Sequence, residues 1–195
     1  MTRLGLIVEG HGETVAVPLL VRRIAHGALG RFDTGVHRTI RVKRGLAGAT
    51  NSTDLDRSVT LLARDGCESI LVLLDSDDDC PAILAPALLA TAKPVAAHVK
   101  LGVVLAHREF EAWFLAALTS LRGVRAMPSD ASFDRDPESV RGAKRAFEAL
   151  FKPGNYYSET VDQPSYTAAF DLDEARRNSP SFDKFYREVE RLTAP

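Results

Sequence analysis

The chain has 195 residues, of which 45% are hydrophobic and 26% are charged, and this composition is typical of a globular protein with one sizeable core. Lys and Arg number 25 against 26 Asp and Glu, so the net charge of -1 excludes overall basicity as a means of binding nucleic acid. The two cysteines, Cys67 and Cys80, form no CxxC motif, and no apolar run reaches the roughly 18 residues of a membrane span, which favours a cytoplasmic protein with no membrane segment.

Short apolar runs alternate with segments of helical spacing along the first part of the chain. The apolar runs predict strands over residues 3–9, 36–44, 68–75 and 99–106. The segments between and after them predict helices over residues 11–29, 51–65, 81–92 and 110–121. This alternation predicts an α/β fold, with a mainly parallel sheet of about four strands flanked by helices.

A turn-rich, polar stretch over residues 123–137 separates this part from a segment with helical patterns. Helices are predicted there over residues 138–151, 166–176 and 182–192. We therefore expect residues 1–122 to form the α/β core and residues 123–195 to form a helical C-terminal extension packed on it, in one domain.

Acidic residues follow three of the four predicted strands. Glu9 ends the first, Asp75 and Asp77 close the third, and Glu109 and Glu111 follow the fourth. Ligand sites of parallel sheets lie beyond the carboxyl ends of the strands, so these side chains are expected at one site. Asp75 and Asp77 are two residues apart and point the same way if the strand geometry continues through them.

Converging carboxylates need a compensating charge. Two of them about 4 Å apart repel by roughly 4 kcal/mol at an effective dielectric constant near 20. They must take up protons, pair with Arg or Lys, or bind a hard cation, and a set of oxygen ligands points to Mg²⁺ or Mn²⁺. The alternative is that these acids are ordinary turn and helix-cap residues.

Two motifs resemble the Toprim domain of topoisomerases, primases and overcoming-lysogenization-defect (OLD) nucleases. They are VEGHGE, at the end of the first strand, and LLDSDDD, at the end of the third. In the Toprim domain, a Glu after the first strand and a DxD after a later strand bind Mg²⁺. The resemblance therefore implies a Toprim- or Rossmann-like fold in which Glu9, Asp75 and Asp77 are metal ligands.

A third segment, HREFEAWFLAAL, resembles the nuclease branch of that domain, in which a Glu opens the helix after the fourth strand. The match assigns Glu111 as a further metal ligand. More narrowly, the whole chain, including NSPSFDKFYREVERL near its end, resembles the DUF4276 family of small Toprim-like proteins.

The resemblance implies phosphodiester cleavage with Mg²⁺ or Mn²⁺, most simply by a nuclease. OLD nucleases join this domain to an ABC-type ATPase, but the chain has no GxxxxGK[ST] loop, so an AAA- or ABC-type ATPase partner would be a separate protein. A role in phage defence is an expectation from the same resemblance. The alternative function is a non-catalytic regulatory or interaction module that binds a metal or a nucleotide.

Other residues are candidates for catalysis and for nucleic-acid binding. Glu9 and Glu13 are candidate catalytic acids, and Lys144 is a candidate for stabilising phosphate charge. For Glu13, stabilisation of a helix dipole is the alternative explanation. A basic stripe could steer a phosphate backbone, or simply discourage aggregation at an edge strand. Its residues are Arg41, Lys43 and Arg44. The sequence predicts no particular oligomeric state.

Overall fold

A four-stranded parallel sheet forms the centre of the protein, whose computed structural model describes residues 2–43 and 53–195. The strands stand in the order β2-β1-β3-β4, and every neighbouring pair is parallel. They are β1 (Thr2–Val8), β2 (Thr34–Arg41), β3 (Ser69–Asp75) and β4 (Lys100–Ala106). Since β2 and β3 lie on opposite sides of β1, the strand order reverses between β1 and β3, where sheets of this kind bind ligands.

Helices connect the strands and follow the sheet. They are α1 (Glu13–Arg22), α2 (Thr53–Arg64), α3 (Pro81–Ala92), α4 (Ala112–Ala116), α5 (Leu118–Leu121), α6 (Ala143–Glu148), α7 (Glu159–Ala169), α8 (Leu172–Asn178) and α9 (Pro180–Leu192). A π-helical turn over Arg23–Ala28 extends α1, and 3₁₀ turns cover Lys93–Ala96 and Pro137–Ser139. No helix in the described ranges is long and apolar enough to cross a membrane.

Apolar clusters cover both faces of the sheet. Leu6 and Leu71 belong to one cluster, with residues of α1 and α9, whereas Ile7 and Val72 belong to the other, with residues of α2 and α3. Successive strand residues point to opposite faces, so β1 and β3 are buried on both sides. This arrangement confirms the predicted α/β fold and explains why these strands read as continuous apolar runs.

The C-terminal helices share the first of these clusters with the sheet. Trp113 of α4 is fully buried, and its ring centroid lies 5.2 Å from that of Phe182 and 5.1 Å from that of Phe185, both on α9. The indole Nε1 donates a hydrogen bond of 2.9 Å to Ser181 Oγ. The segment after residue 122 therefore contributes to the same core as the strands.

Several predicted boundaries differ from the structure. The helix predicted over 110–121 is split into α4 and α5, because Ala117 between them has φ −114° and ψ 27°. The helix predicted over 138–151 shortens to α6, which follows Gly142 in the left-handed region. The single helix predicted over 166–176 is two helices: α7 ends at Ala169, and extended Phe170 and Asp171 separate it from α8, which begins at Leu172.

Candidate functional site

A cavity of about 200 Å³ opens at the carboxyl edge of the sheet. Its lining is dominated by carboxyl groups, with two basic side chains, Arg41 and Lys144, among them. The acidic residues are Glu9, Glu13, Asp75, Glu109, Glu111 and Glu159, and the remaining lining residues are Gly10, His11 and Gln163. We call this space the carboxylate cavity.

The ends of three strands bring the carboxylate cavity together. Glu9 follows β1, Asp75 ends β3, and Glu111 stands at the N-terminus of α4, after β4. Glu13 is the first residue of α1. Because the strands are parallel, their carboxyl ends meet at one edge, as the sequence predicts for Glu9, Asp75 and Glu111.

Glu13 is buried, with 3% of its surface exposed. Its Oε2 accepts a hydrogen bond of 3.1 Å from the backbone N–H of Glu9. Burial raises the pKa of Glu13 from 4.5 to about 7, assisted by the negative charges of Glu111 and Glu9 and opposed by hydrogen bonds from backbone N–H groups. Glu13 is therefore poised to gain or lose a proton near neutral pH.

Glu111 is also buried, and two side chains from the C-terminal segment hold it. Its Oε1 accepts hydrogen bonds from Tyr157 Oη at 2.9 Å and from Gln163 Nε2 at 3.4 Å. Burial raises the pKa of Glu111 to about 7, although the Tyr157 hydrogen bond acts in the opposite direction. Burial and the charge of Glu111 also raise the pKa of Tyr157, so its hydroxyl stays protonated and donates.

Asp75 has the most crowded surroundings of the three. Burial raises its pKa well above 3.8, and the charges of Glu13, Glu111, Glu9 and Glu109 raise it further, in that order. These carboxyl groups cannot all be ionised at neutral pH without a counter-charge. The carboxylate cavity can therefore bind protons, or a cation in their place.

The predicted basic residues occupy different positions. Lys144 Nζ donates to Glu159 Oε1 at 2.5 Å, and the Lys144 backbone N–H donates to Glu109 Oε2 at 2.9 Å, so this residue forms part of the cavity wall. Arg41 also lines the cavity. Lys43 is exposed and does not line the cavity, and Arg44 lies outside the described residues.

Asp77 does not share the carboxylate cavity with Asp75. Strand β3 ends at Asp75, and Asp77 turns into the left-handed region with φ +48°, so the two side chains do not follow the alternation of a strand. Asp77 is exposed and lines a neighbouring cavity with Asp78, Arg108 and Arg141. Its role as a metal ligand stays a prediction.

A comparison with protein families matches residues 8–190 to "Domain of unknown function (DUF4276)". The chain belongs to the DUF4276 family. The match includes every residue that lines the carboxylate cavity and confirms the family that the sequence motifs indicate. Searches of curated proteins and of solved structures found no match.

In this DUF4276 protein, sequence reasoning missed the part of the site that the C-terminal segment supplies. Tyr157 precedes α7, Glu159 begins it and Gln163 lies within its first half, which was not predicted to be helical. Their spacing matches no motif that points to chemistry. Only the three-dimensional packing of α7 against α1, next to Gly12, brings them to the strand ends.

The donor atoms of the carboxylate cavity suit Mg²⁺ or Mn²⁺, since apart from His11 the candidate ligands are oxygens. Within residues 2–43 and 53–195, however, no three His, Cys, Asp or Glu side chains already form a group that could hold a metal ion. Mg²⁺ usually takes one or two carboxylates and completes its shell with water and substrate phosphate. A cation in the carboxylate cavity would therefore need only one or two of these carboxylates, with water completing its shell.

Proposed function

We propose that this protein cleaves phosphodiester bonds with Mg²⁺ or Mn²⁺, most simply as a nuclease, at the carboxylate cavity. The observation that carries the proposal is the convergence of Glu13, Asp75 and Glu111 on one space at the carboxyl edge of the sheet, where Glu13 and Glu111 are buried and Asp75 is half-buried. Burial is the main cause of the raised pKa of all three groups, and repulsion between carboxylates adds to it; a cation bound there would replace protons and relieve this repulsion.

Asp75 and Glu111 are the residues that would hold the cation, with Glu9 beside them and Asp77 as a predicted further ligand. The chemistry that the cation supplies when bound is activation of water and neutralisation of charge on the phosphate. Glu13 can accept or release a proton at its carboxyl oxygens near neutral pH, which suits general acid–base catalysis. Lys144 places a positive charge in the cavity wall.

The wider setting is proposed from the resemblance to OLD nucleases. Nucleic acid is the substrate that we propose, with Arg41 and Lys43 as candidate contacts near the carboxyl end of β2. A separate AAA- or ABC-type ATPase is the proposed protein partner, and phage defence in the cytoplasm is the proposed context.

A second candidate function is a regulatory module that binds a metal without cleaving a substrate. The observation that favours it is that Lys144, the candidate for stabilising phosphate charge, already forms an ion pair with Glu159. In this function, the buried carboxyl groups would bind a cation that stabilises the protein or a complex.

Thermal unfolding of metal-stripped protein, with and without added MgCl₂ or MnCl₂, tests the metal site. We expect the cation to raise the melting temperature of the wild type and not that of Asp75→Asn, because a ligand that binds only the folded state stabilises it. Asp130→Asn is the matched control, since Asp130 is an exposed carboxylate outside the cavity. The control should respond to metal as the wild type does.

A plasmid-nicking assay on the same samples separates the two functions. Nicking that requires the cation and disappears in Asp75→Asn supports the nuclease. Cation-dependent stabilisation without cleavage of plasmid, single-stranded DNA or RNA supports the regulatory module. If neither Mg²⁺ nor Mn²⁺ stabilises the wild type at millimolar concentration, both functions are overturned.

A further inference from the structure

Two arginines meet on one carboxylate oxygen beside the carboxylate cavity. Arg108 Nη1 and Arg141 Nη2 each lie 2.9 Å from Asp78 Oδ1. The three residues line a separate space of about 200 Å³, together with Asp77, Glu109 and Gly142. Because Glu109 lines both spaces, this arginine cavity adjoins the carboxylate cavity.

The backbone fixes the position of Arg108. This residue has φ +66°, a backbone conformation that residues other than glycine rarely adopt, and Asp77 opposite it has φ +48°. The Asp77 N–H donates to the Arg108 carbonyl at 3.1 Å, and the Arg108 N–H donates to the buried Ser76 Oγ at 2.8 Å. Such conformations persist only where neighbouring contacts impose them, and they are concentrated in ligand clamps and active sites.

Arg108 has donor capacity that the described residues do not use. Its side chain is one-quarter exposed, and its Nε is buried without a hydrogen-bond partner among them. A guanidinium can make two parallel hydrogen bonds to a phosphate. Arg108 makes a single side-chain hydrogen bond to Asp78 Oδ1, so it does not use this two-bond geometry.

Asp78 is held weakly. Its side chain is 66% exposed and that of Arg141 is 76% exposed, and ion pairs in this setting contribute little to stability because water screens them. A phosphate group could therefore take the place of the Asp78 carboxylate without a large loss of folding stability.

We infer that Arg108 and Arg141 form a subsite for a phosphate group of the substrate, and that Asp78 occupies this subsite until the substrate arrives. As a description of the substrate, the inference rests on the proposed phosphodiester chemistry, but binding itself needs no metal. Asp77 and Glu109 add negative charge to the same space. A polymer that offers several phosphates should therefore bind better than a free phosphate ion.

Binding is measured in EDTA, so that no cleavage occurs, by the anisotropy of a labelled short oligothymidylate, with a labelled oligouridylate as a second probe. Removing one charge-assisted contact, in Arg108→Ala or Arg141→Ala, should weaken binding roughly tenfold. Asp78→Ala should strengthen binding several-fold, because it frees both guanidinium groups. Arg177→Ala, at an exposed arginine of α8, is the control and should bind as the wild type does.

Two further binding measurements test the subsite. Arg108→Lys retains the charge but not the fork of donors, so it should bind between the wild type and Arg108→Ala. Inorganic phosphate should compete with the oligothymidylate only weakly; strong competition would contradict the preference for a polymer and identify free phosphate as the ligand.

The subsite is overturned if Arg141→Ala binds the oligonucleotides as tightly as the wild type, or if Asp78→Ala binds them more weakly. It is also overturned if the wild type and Asp78→Ala both fail to bind either oligonucleotide. These outcomes are independent of the metal experiment. If Mg²⁺ and Mn²⁺ do not stabilise the protein but the variants change binding as expected, the proposed function fails while the phosphate subsite stands.

Discussion

The raised pKa of Glu111 gives the stability of the protein a pH dependence with a definite sign. Its pKa rises from 4.5 to about 7, so the folded protein keeps a proton that the unfolded chain releases. The stabilisation from this proton is complete below the unfolded value and is lost as the pH rises through about 7.

Glu111→Gln should remove most of this dependence, since glutamine does not ionise and its Oε1 can still accept from Tyr157. In EDTA at about pH 8, we expect the variant to exceed the wild type in free energy of unfolding by about 3 kcal/mol, with little difference near pH 4. Urea denaturation across this pH range provides the measurement. Exposed Glu68 supplies the control, Glu68→Gln, and parallel wild-type and Glu111→Gln curves would contradict the assignment.

The Tyr157 hydroxyl stabilises mainly the charged form of Glu111, because its hydrogen bond lowers the pKa of that carboxyl group. Tyr157→Phe should therefore raise the pKa of Glu111 further and cost about 1–3 kcal/mol at about pH 8, with a smaller cost at about pH 5. Denaturation at the two pH values measures this difference. Neighbouring Tyr156 is 81% exposed, so Tyr156→Phe should change neither value. Equal costs of Tyr157→Phe at both pH values would show that the hydroxyl does not serve the ionised carboxylate.

At the scale of elements, the approach of α7 to the start of α1 decides whether the site is complete. A Cβ added at Gly12 would lie 2.3 Å from the Glu159 backbone carbonyl and 2.3 Å from Gln163 Oε1. Gly12→Ala should therefore displace α7, cost about 1–3 kcal/mol in unfolding free energy, and weaken the response to metal.

Two other glycines serve as comparisons for Gly12→Ala. At Gly102 the atoms nearest to the added Cβ belong to the Glu188 side chain and not to backbone, so the cost should be smaller. At Gly27 it would meet no atom within 4 Å, so no clash is expected. Urea denaturation ranks the three variants by their free energy of unfolding. If Gly12→Ala is as stable as Gly27→Ala, α7 can move away from Gly12 without a cost in stability.

Elements differ in how far the sequence predicts them. Strands β1 and β3 are predictable because burial on both faces requires continuous apolar residues, and the carboxyl ends of these strands place Glu9 and Asp75. Helix α7 is not predictable in full, because Pro164 lies inside it and a proline in a sequence usually marks the end of a helix. Gln163 was missed for this reason. Asp77 lies outside the carboxylate cavity because the strand geometry does not continue through it, and its left-handed backbone has no signature in DSDDD.

At the scale of the whole molecule, the boundary predicted near residue 122 separates segments that share an apolar cluster. Phe147, Tyr166 and Phe170, all after this boundary, pack around Phe114, which lies before it. A chain of residues 1–122 should therefore expose this surface and lose its cooperative unfolding transition, as measured by calorimetry against the full chain. A truncated protein that unfolds cooperatively and gains stability from Mg²⁺ would contradict this dependence.

The burial of Trp113 gives the protein an optical reporter of its own. It is the single tryptophan of the chain, so all indole fluorescence comes from the contact between α4 and α9. It also lies two residues after Glu111, at the start of the same helix. Its emission will shift to longer wavelength when α9 separates and water reaches the ring, so undocking of the C-terminal helix can be timed apart from loss of the sheet, without any attached label.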